Sequence, residues 1–397
     1  MKGKRLFVIL WGICLVCFLL GQPAISAEQK ALKIGGLYCL TGFGSGSETY
    51  VAQGSKLGEE WINEKGGLNI KGQKIPVELV VEDMKGTPDG TVAAATKLAY
   101  DHKVKFVMGC VVPYMVQASG TVLEPAKILR VLSYNCGIPE EYGPHTPYAF
   151  LGNDGTIEGM LSSLDYLKER YPKVKSVTFI MCDDGSIPYL EKIFRNKASA
   201  LGIRVAAIEK WALSTEDFTP VITKVLASKP DAIASTNGWP QVTGSILKIS
   251  REMGFKGPIF GGNYDDAYQI REIAGKENST DFFIHQLDLG SPEMTPIIKE
   301  IMKRAKAKYG KVIGFHPFGF IPWYVLKQVF EEAQSIDPTV VRDKWGKMKT
   351  VDTIFGPGKM GGLKTYGINH TVCCPCPIVS LMNGEVKWVK WVDVYSP

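Results

Sequence analysis

Between residues 32 and 260, short runs rich in Val, Ile and Leu alternate with longer stretches whose apolar residues fall three and four apart. The short runs read as buried strands and the longer stretches as amphipathic helices. Strands are expected at 32–38, 76–82, 104–108 and 129–133, then at 174–181, 203–209, 231–235 and from 258 onward. Helices are expected at 50–65, 91–101 and 115–126, then at 156–171, 189–201, 218–228 and 241–253. Gly66-Gly67, Gly202 and Gly254 stop three of these helices, and Pro172 ends another. Strands and helices in alternation build parallel sheets covered by helices on both faces. Two such blocks in series, the second opening near Gly155, predict two α/β lobes. The stretch from Asp281 differs. It carries helical pattern at 292–309, 319–334 and 340–348, then turns strand-like after Phe355, with Asn383-Gly384 as a hairpin signal. Such a tail completes the two lobes and does not form a third.

The N-terminal residues bear on compartment. Lys2, Lys4 and Arg5 precede an apolar run at 6–20, broken only by Gly12, and Pro23-Ala24-Ile25-Ser26-Ala27 follows. The run is shorter than the ~20 residues that span a bilayer. This order is that of a cleavable secretory signal, residues 1–27, cut after Ala27, with Ser26 as the alternative. Its removal would take away three basic and no acidic residues, lowering the net charge from +6 to +3. That balance argues neither for a nucleic-acid footprint nor for strong attraction to a membrane surface, and no nucleic-acid partner is expected. Periplasmic export of a monomer follows as the expectation. Seven cysteines would remain: Cys39, Cys110, Cys136, Cys182, Cys373, Cys374 and Cys376. An odd number cannot all pair within one chain. An oxidising compartment favours at least one disulfide, and Cys39, Cys110 and Cys136 fall at neighbouring strand ends. The alternative is that all stay thiols. The spacing in Cys373-Cys374-Pro375-Cys376 is not that of a zinc site.

Several ordered patterns resemble the periplasmic leucine/isoleucine/valine-binding proteins, the type I solute-binding proteins of ABC importers. They are Leu32-Lys33-Ile34-Gly35 through Leu40-Thr41-Gly42, Asn63-Glu64-Lys65-Gly66-Gly67, Val80-Val81-Glu82-Asp83, Thr215-Glu216-Asp217-Phe218 and Lys229-Pro230-Asp231-Ala232. Tyr366-Gly367-Ile368-Asn369-His370 looks like the tail of relatives that bind ligands other than plain amino acids. The resemblance implies two doubly wound parallel-sheet lobes joined by three crossovers. Lobe 1 would take 28–147 and 281–355, lobe 2 148–280 and 356–397. A small-molecule ligand would sit in the cleft between them, with an inner-membrane ABC permease as partner and no cofactor or metal.

Ligands of parallel α/β sheets bind beyond the carboxyl ends of the strands. Those ends are Thr41 to Glu48, with Phe43 and Ser47; Val112-Pro113-Tyr114; Tyr134-Asn135-Cys136; Asp184 and Ser186; Trp239; and Asn263-Tyr264-Asp265. The resemblance implies a serine loop at Val112-Pro113-Tyr114, a threonine loop at Asn135-Cys136-Gly137 and an acidic residue at Asn263, with Asp265 nearby. The sequence departs at each. A zwitterion needs donors at one end and a carboxylate at the other. The departures, with Tyr114, Tyr134, Trp239 and Tyr264, point toward an aromatic or carboxylic solute. Ordinary packing for Trp239 and Tyr134, and helix capping for Asp83 and Asp184, are the plain alternatives.

Two other classes compete. Gly42, Gly44 and Gly46, with Asp83 after the second strand, superficially resemble a dinucleotide fingerprint, but Ser47 stands at the third glycine position. No Walker A, His-Glu-x-x-His or Gly-x-Ser-x-Gly pattern occurs, and an enzyme is not expected. A ligand-sensing receptor domain uses the same fold and remains the alternative.

Overall fold

The computed structural model describes residues 30–42, 44–109, 112–133, 138–153, 155–236, 238–287 and 289–392. In chain order the first lobe opens with β1 (Leu32–Tyr38), α1 (Ser45–Glu64), a small hairpin β2 (Leu68–Ile70) and β3 (Gln73–Ile75), and β4 (Val77–Asp83). Then come α2 (Pro88–Thr96), running into a π-helical turn at Lys97–Asp101, β5 (Phe106–Gly109), α3 (Pro113–Leu123), β6 (Leu129–Leu132) and β7 (Ala149–Leu151). The second block has α4 (Thr156–Arg170), β8 (Ser176–Cys182), α5 (Ile187–Ala200), β9 (Arg204–Trp211), α6 (Thr219–Ala227) and β10 (Ala232–Thr236). It continues with α7 (Pro240–Glu252), β11 (Ile259–Tyr264), α8 (Ala267–Ala274) and β12 (Phe282–His285). The tail holds α9 (Pro296–Tyr309), α10 (His316–Ala333), α11 (Pro338–Trp345), β13 (Thr350–Thr353), β14 (Gly356–Gly361), a short α12 (Leu363–Tyr366), β15 (Thr371–Cys373), β16 (Cys376–Met382) and β17 (Glu385–Val392).

Among the described residues the strands form two large sheets. The first runs β13-β14-β15-β7-β6-β5-β1-β4 and the second β17-β16-β12-β11-β10-β8-β9. β4, β1, β5, β6, β7 and β15 are mutually parallel, as are β9, β8, β10, β11 and β12; the outer strands close each sheet antiparallel. The chain changes sheet three times, after β7, after β12 and after β15. Expected lobe limits at 147/148, 280/281 and 355/356 therefore miss the strand assignments. Ala149–Leu151 pairs with the first sheet, Phe282–His285 with the second, and Gly356–Cys373 with the first again. The sequence reading assigned no strand at 149–151 or 282–285, runs of only three and four residues.

The long tail helices complete the first lobe. Ile298, Ile301, Ala305, Phe320, Trp323, Leu326 and Phe330 are buried with Ile34, Leu57, Phe106 and Leu129 in one apolar cluster. α1 and α10 approach so closely that only glycine fits at the contact. A Cβ on Gly319 would lie 1.8 Å from the Val51 carbonyl oxygen, and one on Gly54 1.9 Å from that of His316. Beside this contact the Trp323 indole donates to Ser55 Oγ at 2.8 Å. Phe150 is sandwiched between Trp345 and His370, at 4.2 and 3.7 Å between ring centres, which fixes β7 against the tail. The Asn383-Gly384 turn joins β16 to β17 with both residues at positive φ, 52° and 77°, as its composition predicts.

Candidate functional site

Each sheet has a point where the winding reverses, and ligand clefts form there. In the first sheet it lies between β1 and β5, whose neighbours β4 and β6 lie outward on opposite sides. In the second it lies between β8 and β10. The loops leaving these strands are the ones the sequence singles out.

The loop after β1 is built by carboxylates from below. Asp83 accepts from the Leu40 N–H at 2.9 Å, the Thr41 N–H at 3.3 Å, the Thr41 hydroxyl at 2.6 Å and the Lys85 N–H at 2.9 Å. Burial pulls the Asp83 carboxyl up, yet these donors together hold it below the usual range. Gly42 and Gly44 take left-handed φ values of 71° and 86°, and a Cβ on Gly42 would strike the Lys85 carbonyl oxygen at 2.5 Å. The chain can then turn directly into α1 at Ser45, five residues before the expected start.

In the first turn of α1, Glu48 folds back under the loop. Its Oε2 accepts from the Cys39 N–H at 2.7 Å, while Oε1 has no hydrogen-bond partner among the described residues. Glu48 is only 3% exposed, and burial pushes its carboxyl up to about 7. The sequence reading runs the glycine loop through Glu48 without giving it a role. An acidic residue in the first turn of a helix is the signal that was there to read.

On the second lobe, Trp239 precedes α7 and meets Trp211 edge-on, with ring centres 6.0 Å apart. Its carbonyl accepts from the Thr243 N–H at 2.9 Å. The Thr243 hydroxyl in turn donates to Asp265 Oδ2 at 2.9 Å, and the Asp266 N–H donates to Asp265 Oδ1 at 2.8 Å. Asp265 is buried, and that burial pushes its carboxyl up to about 8 against these two bonds. Asp266 serves differently, capping α8 by accepting from the Tyr268 and Gln269 N–H groups.

The two lobes meet at a cavity of about 280 Å³. Gly42, Gly44, Ser45, Gly46 and Ser47 line one side; Trp239, Gln241 and Val242 line the other. Of the expected ligand residues, Ser47 and Trp239 come together here. Asp265 stands behind Trp239 through Thr243. Val112 is buried at the start of α3, and Tyr114 packs half-buried on the lobe core. Asp184 accepts from both the N–H and the hydroxyl of buried Ser186, at 3.0 and 2.5 Å, and so shapes the turn into α5. These bonds lie ahead of the helix, whose N-cap is Ser186. Phe43, Tyr134, Asn135 and Cys136 lie outside the described residues, as do the side chains of Pro113, Asn263 and Tyr264. Cys39 is a buried free thiol whose Sγ lies 3.7 Å from Met115 Sδ, and burial raises its pKa; its expected partners Cys110 and Cys136 also lie outside the described residues.

Against known proteins, residues 31–376 match the family described as periplasmic binding protein. An amino acid binding protein of Pseudomonas aeruginosa is 24% identical over 319 residues, covering 79% of this chain and 82% of that protein. Among solved structures, a leucine binding protein from Thermotoga maritima superposes with a TM-score of 0.76 at 21% identity, covering 91% of this chain and 99% of the other. A solute binding protein of an ABC transporter from R. palustris, solved with benzoate, gives 0.74 at 15% identity, covering 93% and 98%. The fold, with its three crossovers and two winding reversals, is theirs, and the chain belongs to the periplasmic binding protein family.

Proposed function

We propose that this chain is the extracytoplasmic solute-binding component of an ABC importer of the branched-chain amino acid type. It captures a small organic solute by closing its two lobes, and we assign it no reaction. The observation that carries this reading is the cavity whose walls come from the Gly42–Ser47 loop of one lobe and the Trp239–Val242 segment of the other. A solute held there touches both lobes only when they are closed, so its binding energy favours the closed state. An inner-membrane permease would then receive the closed form. Export by a signal at residues 1–27 belongs to the same proposal.

The site is proposed to comprise Ser47 and Trp239 at the cavity, with Phe43, Val112, Pro113, Tyr114, Tyr134, Asn135, Cys136, Asp184, Ser186, Asn263, Tyr264 and Asp265 on the surrounding strand ends. An amino acid, or an aromatic or carboxylic compound, is the proposed solute. The aromatic class is favoured by Trp239 standing at the cavity and by the benzoate held by a protein of the same fold. Thermal unfolding of the purified chain with leucine, isoleucine, valine and benzoate tests the reading. A ligand at 100 times its dissociation constant stabilises the native state by about 2.7 kcal/mol. Benzoate stabilisation lost in Trp239→Ala supports the aromatic pocket. Stabilisation by the three amino acids alone moves the solute to that class, and a folded Trp239→Ala with unchanged affinity removes Trp239 from the site.

A further inference from the structure

The run from Tyr366 to His370 takes no part in lining the cavity between the lobes; it stands beside two of the crossovers. Thr371, the next residue, opposes Leu151 at the end of β7, and the Leu151 N–H donates to the His370 carbonyl at 2.9 Å. The first and third crossovers therefore leave the first sheet side by side. Tyr366 closes α12, which lies between β14 and β15 and so belongs to the first lobe. Its side chain reaches into the second. The Tyr366 hydroxyl donates to Glu158 Oε1 at 3.1 Å, while Glu158 Oε2 accepts from the Gly155 N–H at 3.0 Å, where the first crossover runs into α4. On its other side Tyr366 meets Tyr142, with ring centres 4.3 Å apart and the two hydroxyls hydrogen-bonded. The Thr371 hydroxyl reaches Tyr142 in turn, at 3.5 Å. Thr371, Tyr142, Tyr366 and Glu158 are all buried. They make a chain of polar contacts from the strand that enters the third crossover to the end of the first. A second bond crosses between the lobes nearby, from the Tyr189 hydroxyl of α5 to the Thr365 carbonyl at 2.5 Å.

We propose that Tyr366 is a positioning residue for lobe closure: its bond to Glu158 straps the first crossover to the third and holds the lobes closed. The inference rests on the proposed closure around a solute and adds a group that governs it without touching the solute. Hinge motion concentrates backbone rotation in a few residues between the moving bodies. Gly155 is such a residue, and it is tied through Glu158 to a side chain rooted beside β15. The first crossover cannot turn away from the third without stretching the Tyr366–Glu158 bond. A broken bond leaves a buried carboxyl with one donor fewer, which costs more than the bond contributes when made. Opening carries that cost and closure does not, so the strap biases the equilibrium toward the closed form. Burial and the Glu158 carboxyl push the Tyr366 pKa well above its ordinary value, so the hydroxyl stays a donor. Affinity follows, because a solute that needs both lobes binds in proportion to the closed fraction.

Tyr366→Phe removes only the hydroxyl. Small-angle scattering of the ligand-free full chain should give a larger radius of gyration for this variant than for the unsubstituted chain. Calorimetric titration with leucine, isoleucine, valine and benzoate should show binding about tenfold weaker for whichever of them the unsubstituted chain takes. A role in stability alone would lower the urea midpoint and leave the scattering of the folded protein unchanged. Tyr189→Phe takes a hydroxyl from a half-buried tyrosine and should open the lobes in the same direction; it carries the test should Tyr366→Phe fail to fold. Radii that match the unsubstituted chain, or shrink, overturn the strap. A chain that binds none of the four solutes yet expands in Tyr366→Phe supports the strap and counts against the proposed solutes instead.

Discussion

Glu48 in the first lobe and Asp265 in the second are both buried carboxyl groups near the loop end of a strand, yet they are held differently. Asp265 accepts two hydrogen bonds, from Thr243 and the Asp266 N–H. Glu48 accepts one backbone bond and leaves an oxygen unpartnered among the described residues. The better-bonded group is nevertheless pushed further, to about 8 against about 7. Hydrogen bonds lower both values, but burial outweighs them, and nearby Asp266 and Asp83 carboxylates add to the rise. Burial thus raises one carboxyl in each lobe, Glu48 in the helix after the Gly42–Ser47 loop and Asp265 behind Trp239.

The largest effect is expected where each carboxyl's support leaves no room. Gly319→Val would drive a side chain into the Val51 carbonyl of the helix that carries Glu48. Gly159→Val would do the same to the Gly262 carbonyl, 1.9 Å from a built Cβ, on the strand that precedes Asp265. Each should cost about 3 kcal/mol or more, read as a lower urea midpoint. A loss confined to one lobe would break the symmetry between the two supports.

The pH dependence comes next. Both folded pKa values lie above their unfolded values, so the native state binds more protons and each contribution is full below the unfolded pKa. It is lost as pH rises, from 4.5 to about 7 for Glu48 and from 3.8 to about 8 for Asp265. Glu48→Gln should remove the lower part of that loss. Asp265→Asn should remove the part that persists between pH 7 and 8. Both losses are read from urea midpoints compared across the range, and that of Asp265, whose shift is wider, is the larger. A wild-type midpoint that does not fall from pH 5 to 8 would contradict both assignments.

Thr243→Val has the smallest expected effect, about 1 kcal/mol. It strips Asp265 to a single donor, making it resemble Glu48, and should move the alkaline end of the stability loss upward. An unmoved end-point would mean that the Thr243 bond does not govern Asp265.

Much of this was legible in the sequence because helix and strand periods differ. The strand at 32–38 is found as expected, and α4 and α7 lie within one residue of their expected limits. What escaped were elements with no period of their own. β7, β12 and β15 are three or four residues long, and nothing local says which sheet takes them. The site was half legible. Strand ends named the Ser47 loop and Trp239, because winding order dictates where loops gather. Glu48 was passed over because its importance lies in what buries it, and Asp184 bonds to Ser186 in the turn ahead of α5.

The strand order has a consequence for how the chain is made. β15 sits between β14 and β7, so the first sheet is open in its middle until residue 373 has been synthesised. β16 covers β12 only after that. Neither half can finish folding while the ribosome is still at work on the tail, so both lobes stay unfinished until synthesis is nearly done.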